Sequence, residues 1–157
     1  MPALSGRLKQ YLGAMAAIAA IQVWSPVAHA TLGADVTSVE SDRQQMKGQL
    51  RVTSAVGYAV HEIQTPTGTV VREYITAAGR VFAVSWRGPM MPDLRQTLGD
   101  SFQQYEDAAR APHALRRQLN IDHADLVVRS GGRMRAYSGY AYLPALMPQG
   151  FTADDIK

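Results

Sequence analysis

Three arginines, Arg129, Arg133 and Arg135, crowd the Gly131-Gly132 dipeptide. A guanidinium presents a fixed fork of donors that matches carboxylate or phosphate oxygens, so the cluster points to an anionic partner. If Gly131-Gly132 is a two-residue hairpin turn, Ser130 faces Arg133, Arg129 faces Met134 and Val128 faces Arg135. Arg133 and Arg135 then share one face and Arg129 takes the other, which suits a broad tip contact better than a tight pocket. The competing reading is a charged edge that discourages sheet-to-sheet pairing. Arg116 and Arg117 stand nearby in the sequence.

A second constellation is Glu62 with Arg72, an ion pair beside an aromatic cluster if their strands pair in the register argued below. In that register His61 faces Glu73 on the other side of the hairpin, where an imidazole and a carboxylate form either a general base or a cross-strand surface pair. No G-x-S-x-G elbow supplies a nucleophile. Trp86, with Tyr137, Tyr140 and Tyr142, offers rings for stacking on a sugar or peptide, or for filling a core. His61, His113 and His123 show no HxH or HExxH spacing, and Asp122-His123-Ala124-Asp125 reads as a turn, so no metal site is assigned. With no Cys in the chain, thiol catalysis, disulfides and thiolate metal sites are excluded.

These residues need elements to hold them. Val36, Val39, Arg43 and Met46 recur at helical spacing and Gly48 follows, which predicts a helix over 35–47. Three β-rich runs, 57–65, 69–76 and 80–87, are separated by Pro66-Thr67-Gly68 and Ala77-Ala78-Gly79. A three-residue loop ending in Gly places that Gly at positive φ, where it meets no steric cost. The runs therefore predict a three-stranded antiparallel meander. Pairing Thr65 with Thr69 sets Glu62 against Arg72, His61 against Glu73, Val60 against Tyr74 and Ile63 against Val71. A loop shorter by one would oppose Glu62 and Glu73, which repel. The same rule at the second loop places Tyr74 beside Phe82 and Val70 beside Trp86. One core face would then carry Tyr58, Val60, Val70, Tyr74, Phe82, Val84 and Trp86.

Pro92 and Asp93 open a helix with Leu94, Leu98, Phe102, Tyr105 and Ala109 along one stripe, running to about Arg110. Further strands follow: Arg117, Leu119 and Ile121 alternate, although Leu115 and Leu119 also allow a helical turn, and Leu126–Arg129 and Arg133–Tyr142 come next, then a tail with Pro144 and Pro148. Grouping strands, helix and strands predicts an α+β fold: an antiparallel sheet with one main helix packed across it.

Ahead of all this lies a leader. Arg7 and Lys9 precede an apolar run from Tyr11 to Val23, and Ala28-His29-Ala30 forms an A-x-A site. That is the pattern of a secretory signal cleaved after Ala30, and the run is shorter than the roughly 20 residues a membrane span needs. Residues 31–157 then form one domain without a stable membrane span. Cleavage would leave 14 basic against 13 acidic residues, a net charge of +1, so bulk charge gives no support to nucleic-acid binding.

The stretches Gly57-Tyr58-Ala59-Val60-His61-Glu62-Ile63, Val81-Phe82-Ala83-Val84-Ser85-Trp86-Arg87-Gly88-Pro89, Pro92-Asp93-Leu94-Arg95 and Ser130-Gly131-Gly132-Arg133-Met134-Arg135 are specific in combination. So are Ala30-Thr31-Leu32-Gly33 and Val71-Arg72-Glu73-Tyr74. Together they resemble an exported proteobacterial family, domain of unknown function 2844, over nearly the whole mature chain. The resemblance implies export and a shared fold, and it carries over no catalytic residue or cofactor. The functional expectation is a periplasmic, non-enzymatic module for an envelope protein or an anionic envelope ligand. Contact residues are expected among Arg129, Arg133, Arg135, Glu62, Arg72 and Trp86. A small hydrolase with an unrecognised acid–base site and a structural subunit of an envelope assembly are the alternatives. Intact-mass measurement of periplasmic protein should give a chain beginning at Thr31; a mass retaining residues 1–30 would replace the soluble reading with an anchored one.

Overall fold

The computed structural model describes residues 32–111 and 118–157. The leader reading over residues 1–30, together with His113, Arg116 and Arg117, lies outside the described residues. Among the described residues, no helix is long and apolar enough to cross a membrane.

The predicted first helix forms as α1 (Ser38–Gln45). Asp35 accepts from the Thr37 amide at 3.0 Å just ahead of it, and the Gly48 amide donates to Arg43 O at 2.9 Å behind it. Val39 is buried as the spacing requires. Strand β1 (Gln49–Ala55) was not anticipated. It is an edge strand whose residues are all exposed except the half-buried Leu50, so it carries no alternating apolar signal. Gly57, at φ +83°, turns the chain into β2 (Tyr58–Gln64).

Strands β2, β3 (Val70–Thr76) and β4 (Val81–Gly88) form the expected meander. Both loops close as predicted, with Gly68 at φ +87° and Gly79 at φ +77°. Thr65 N donates to Thr69 O, and Thr76 N to Arg80 O, each at 2.9 Å. The β2–β3 register is the one that charge selects: Glu62 opposes Arg72, His61 opposes Glu73, Val60 opposes Tyr74 and Ile63 opposes Val71.

The β3–β4 register departs from expectation. Ile75 pairs with Val81, but Tyr74 pairs with Ala83 rather than Phe82, and Val70 with Arg87 rather than Trp86. Phe82 is an extra residue in a bulge between Tyr74 and Ile75, and every side chain of β4 beyond it changes face. The anticipated single core face is thereby divided. Val84 and Trp86 join Ile63, Val71 and Ile75 beneath the helices. Tyr74 and Phe82, with Tyr58 and Val60, line the other face.

The main helical segment breaks at Gly99, whose φ of +50° separates α2 (Leu94–Leu98) from a 3-10 turn and α3 (Phe102–Arg110). Asp93 is the N-cap of α2 and accepts from the amides of Arg95 and Gln96, so Pro92 stands outside the helix rather than at its first position. Leu94 and Leu98 are buried, Phe102 and Tyr105 pack partly against the core, and Ala108 does so in place of Ala109.

Strands β5 (Gln118–Asp122), β6 (Val127–Arg133) and β7 (Ala136–Tyr142) complete an antiparallel sheet of seven strands in the order β1-β2-β3-β4-β7-β6-β5. Gly131-Gly132 is not the hairpin turn. It lies within β6, and Met134-Arg135 turns the chain, with Arg135 at φ +62°. Gly132, at φ +151°, holds a conformation that L side chains rarely adopt, and the strand uses that freedom where a turn was expected, which is why the dipeptide misled.

The tail recrosses the sheet on the face without helices. Phe151 packs edge-on against Phe82 and Tyr58, with ring centroids 4.8 and 5.0 Å apart. Lys157 N donates to the Tyr74 hydroxyl at 2.8 Å, and Lys157 O accepts from Ser85 Oγ at 2.7 Å. On the helix face, Trp86 lies over Gly139, its cross-strand partner. A Cβ at Gly139 would stand 2.5 Å from Trp86 Cζ2 and 2.7 Å from the Arg129 carbonyl oxygen. Gly139→Ala should therefore destabilise the protein by about 1–3 kcal/mol through overpacking, read as a lower urea midpoint.

Candidate functional site

The predicted contact residues are dispersed. Trp86 is 2 % exposed and faces the helices, so it fills core and presents no ring to a ligand. Arg72 Nε donates to Glu62 Oε2 at 2.7 Å as expected, yet Arg72 Nη1 also donates to Lys157 O at 2.9 Å. This pair clamps the tail. Arg129 is likewise committed: Nη2 forks onto Asp122 at 2.7 and 2.9 Å, and Nη1 donates to the carbonyls of Ile121 and Val128. Its partners spend the donors an anion would need. Arg133 pairs with Ala136, not Ser130, and shares by alternation the face of Arg129, while Arg135 sits in the turn. These tip arginines are exposed, and Arg135 lines a second open pocket beside the turn together with Arg87 and Ser138.

A different arginine opens onto a groove. On the face without helices, two rows of side chains cross β4, β7, β6 and β5. One row is Ser85, Tyr140, Arg129 and Asn120; the next is Arg87, Ser138, Gly131 and Gln118. Low side chains at Ser138 and Gly131, between taller ones, leave an open groove of about 440 Å³. Ile156 and Lys157 line it where the tail ends against Ser85. Arg87 is exposed and makes no ion pair among the described residues. Among the described residues, no Asp, Glu or His side chain lines the groove, which presents cations, amides and hydroxyls. Arg87, Gln118 and Asn120 escaped sequence reading because the bulge at Phe82 and the position of the β6–β7 turn assign their face. The spacing of Leu119 and Ile121 was the signal available for Gln118 and Asn120.

The second polar cluster lies on the helix face. His61 and Glu73 oppose each other, but Glu73 is 2 % exposed, buried under α1 rather than on the surface. Its carboxyl hydrogen-bonds that of Asp42 on α1, which also accepts from Gln96 Nε2 on α2 at 2.6 Å. Burial first, and then the Asp42 carboxylate, push the Glu73 pKa well up. Partial burial lowers the pKa of His61, whose Nδ1 is buried without a partner among the described residues. Asp42 was missed because an acid on an apolar helix face has no pattern of its own. Among the described residues, no three His, Asp or Glu side chains gather in a way that would hold a metal ion.

Fold and groove together define an α+β protein whose seven-stranded antiparallel sheet is covered by helices on one face and half-covered by its own tail on the other. The chain belongs to the family described as Protein of unknown function (DUF2844), whose model matches residues 28–156. No curated protein and no solved structure matches it.

The Asp42–Glu73 pair has a consequence for stability. In the unfolded chain Glu73 loses its proton near the ordinary value of 4.5, whereas the folded chain retains it to higher pH. The folded state then binds more protons than the unfolded one, so stability falls as pH rises through that interval. Glu73→Gln keeps a donor toward Asp42 and removes the titration. Thermal melts across mildly acidic to mildly alkaline pH should show the parent losing stability relative to Glu73→Gln. Parallel curves would show that Glu73 is ionised in the folded state.

Proposed function

We propose that this chain is exported, cleaved after Ala30, and acts in the periplasm as a non-enzymatic module that binds an anionic ligand in the groove at Arg87. The carrying observation is Arg87 itself. Among the described residues it is an exposed guanidinium without an ion pair, opening onto a groove that no Asp or Glu side chain lines. A preformed concavity with a few convergent polar groups is the usual form of a ligand site. The open cation supplies charge-assisted hydrogen bonds to an anion. Of the expected cations, Arg129 and Arg72 are held by Asp122 and by Glu62 with the tail, while Arg133 and Arg135 stand exposed at the hairpin end.

Amide chemical-shift titration of the mature protein with sodium sulfate at low ionic strength tests this reading. Shifts should concentrate at Arg87, Ser138 and Gly131, and weaken as added salt shortens the Debye length below about 10 Å. Arg87→Gln should abolish them, whereas Arg51→Gln, at an exposed arginine on the far edge strand, should leave them. Shifts retained by Arg87→Gln, or confined to the Met134-Arg135 turn, would move the anion site to the hairpin tip.

A further inference from the structure

Resting on the groove assigned above, we infer that its ligand is an acidic saccharide about two sugar units long, its anionic group at the β4 end and its neutral hydroxyls along the rest. The groove is polarised. Arg87 stands at the β4 end with Lys157 lining the same side, and exposed Gln118 and Asn120 stand on β5 at the other. Three strand spacings separate those ends, about 14 Å. Between them Ser138 and Gly131 form the low floor, and the half-buried Tyr140 flanks it, stacked on Tyr142 at 6.3 Å. The Arg129 charge, midway, is already matched by Asp122. One end of the groove therefore suits an anion, while the middle and the far end present amide and hydroxyl groups that donate and accept.

That order of groups selects among ligand classes. A polyanion would leave its inner charges beside neutral amides and the matched Arg129. A lipid acyl chain would need an apolar lining, and here the floor is serine and glycine. An extended peptide gains affinity by pairing its main chain with a sheet edge, but this groove lies on a sheet face whose main-chain groups are engaged in the β4–β7–β6–β5 ladders. A saccharide carries paired hydroxyls that Asn and Gln amides can bridge, a flat face for the tyrosine, and in its acidic forms one carboxylate for Arg87.

The test compares the monoanionic disaccharide glucuronosyl-galactose, neutral glucosyl-galactose and inorganic phosphate by amide-shift titration of the mature protein. Glucuronosyl-galactose should bind about tenfold or more tightly than either other probe, as a charge-assisted bond added to neutral ones implies. Its shifts should extend from Arg87 through Ser138 to Gln118. Gln118→Ala with Asn120→Ala, at two exposed positions, should cut glucuronosyl-galactose affinity about tenfold and leave phosphate binding unchanged. Phosphate binding as tight as glucuronosyl-galactose, with no loss in the double variant, would overturn the saccharide assignment while leaving an anion site at Arg87. Glucosyl-galactose binding as tight as glucuronosyl-galactose would overturn both readings, as would the absence of shifts with every probe.

Discussion

Between Tyr74 and Ile75 the β3–β4 ladder slips by one residue, and much of the architecture depends on that slip. Side chains of a strand alternate between faces, so one extra residue exchanges the faces of everything beyond it. Past Phe82, Val84 and Trp86 turn beneath the helices, and Ser85 and Arg87 turn toward the tail. Without the bulge, a tryptophan would stand where the groove is and an arginine would point into the main core. An unpaired buried guanidinium is a severe penalty, and an exposed indole forfeits a large burial gain. Both effects favour the slipped register.

The two faces of the sheet are closed by different means. Under the helices the core is largely apolar and is crossed by a buried acid pair, where Glu73 and Asp42 join β3 to α1 and Gln96 joins α2 to the same pair. A protonated acid donating to a carboxylate is a strong hydrogen bond at low local dielectric. It ties three elements at a single point. On the other face the tail supplies the cover: Phe151 completes an aromatic cluster, Ile156 is buried, and Lys157 is held by Tyr74, Ser85 and Arg72. The tail covers the β2–β3–β4 side. The β7–β6–β5 side remains open and polar, and there the groove forms.

Charge is distributed by the same logic. Arg72, Arg43 and Arg129 each meet a carboxylate within 3 Å, and these ion pairs stabilise elements rather than recruit ligands. Arg87 is different only because its face is open and its neighbours in the row are serine, glycine and glutamine. Counting arginines near a turn therefore located the exposed Arg133 and Arg135, but not Arg87, which opens onto the groove.

Much was legible in the residues alone. The two loops ending in Gly68 and Gly79, and the opposition of Glu62 to Arg72 and His61 to Glu73, follow from backbone sterics and from like-charge repulsion, which act over a few residues. The α+β class and the helical segment across the sheet followed from hydrophobic period, and the family from specific stretches of sequence. Tertiary structure decided what no local rule contains. Gly99 can continue or break a helix; Gly131-Gly132 can turn or extend; Asp42 reads as a solvent-facing acid until Glu73 lies above it. The bulge at Phe82 belongs to this second kind. Its benefit is the placement of Trp86 against Gly139 and of Arg87 in the open, two outcomes set by β7 and by the tail, which join β4 only when the whole sheet assembles.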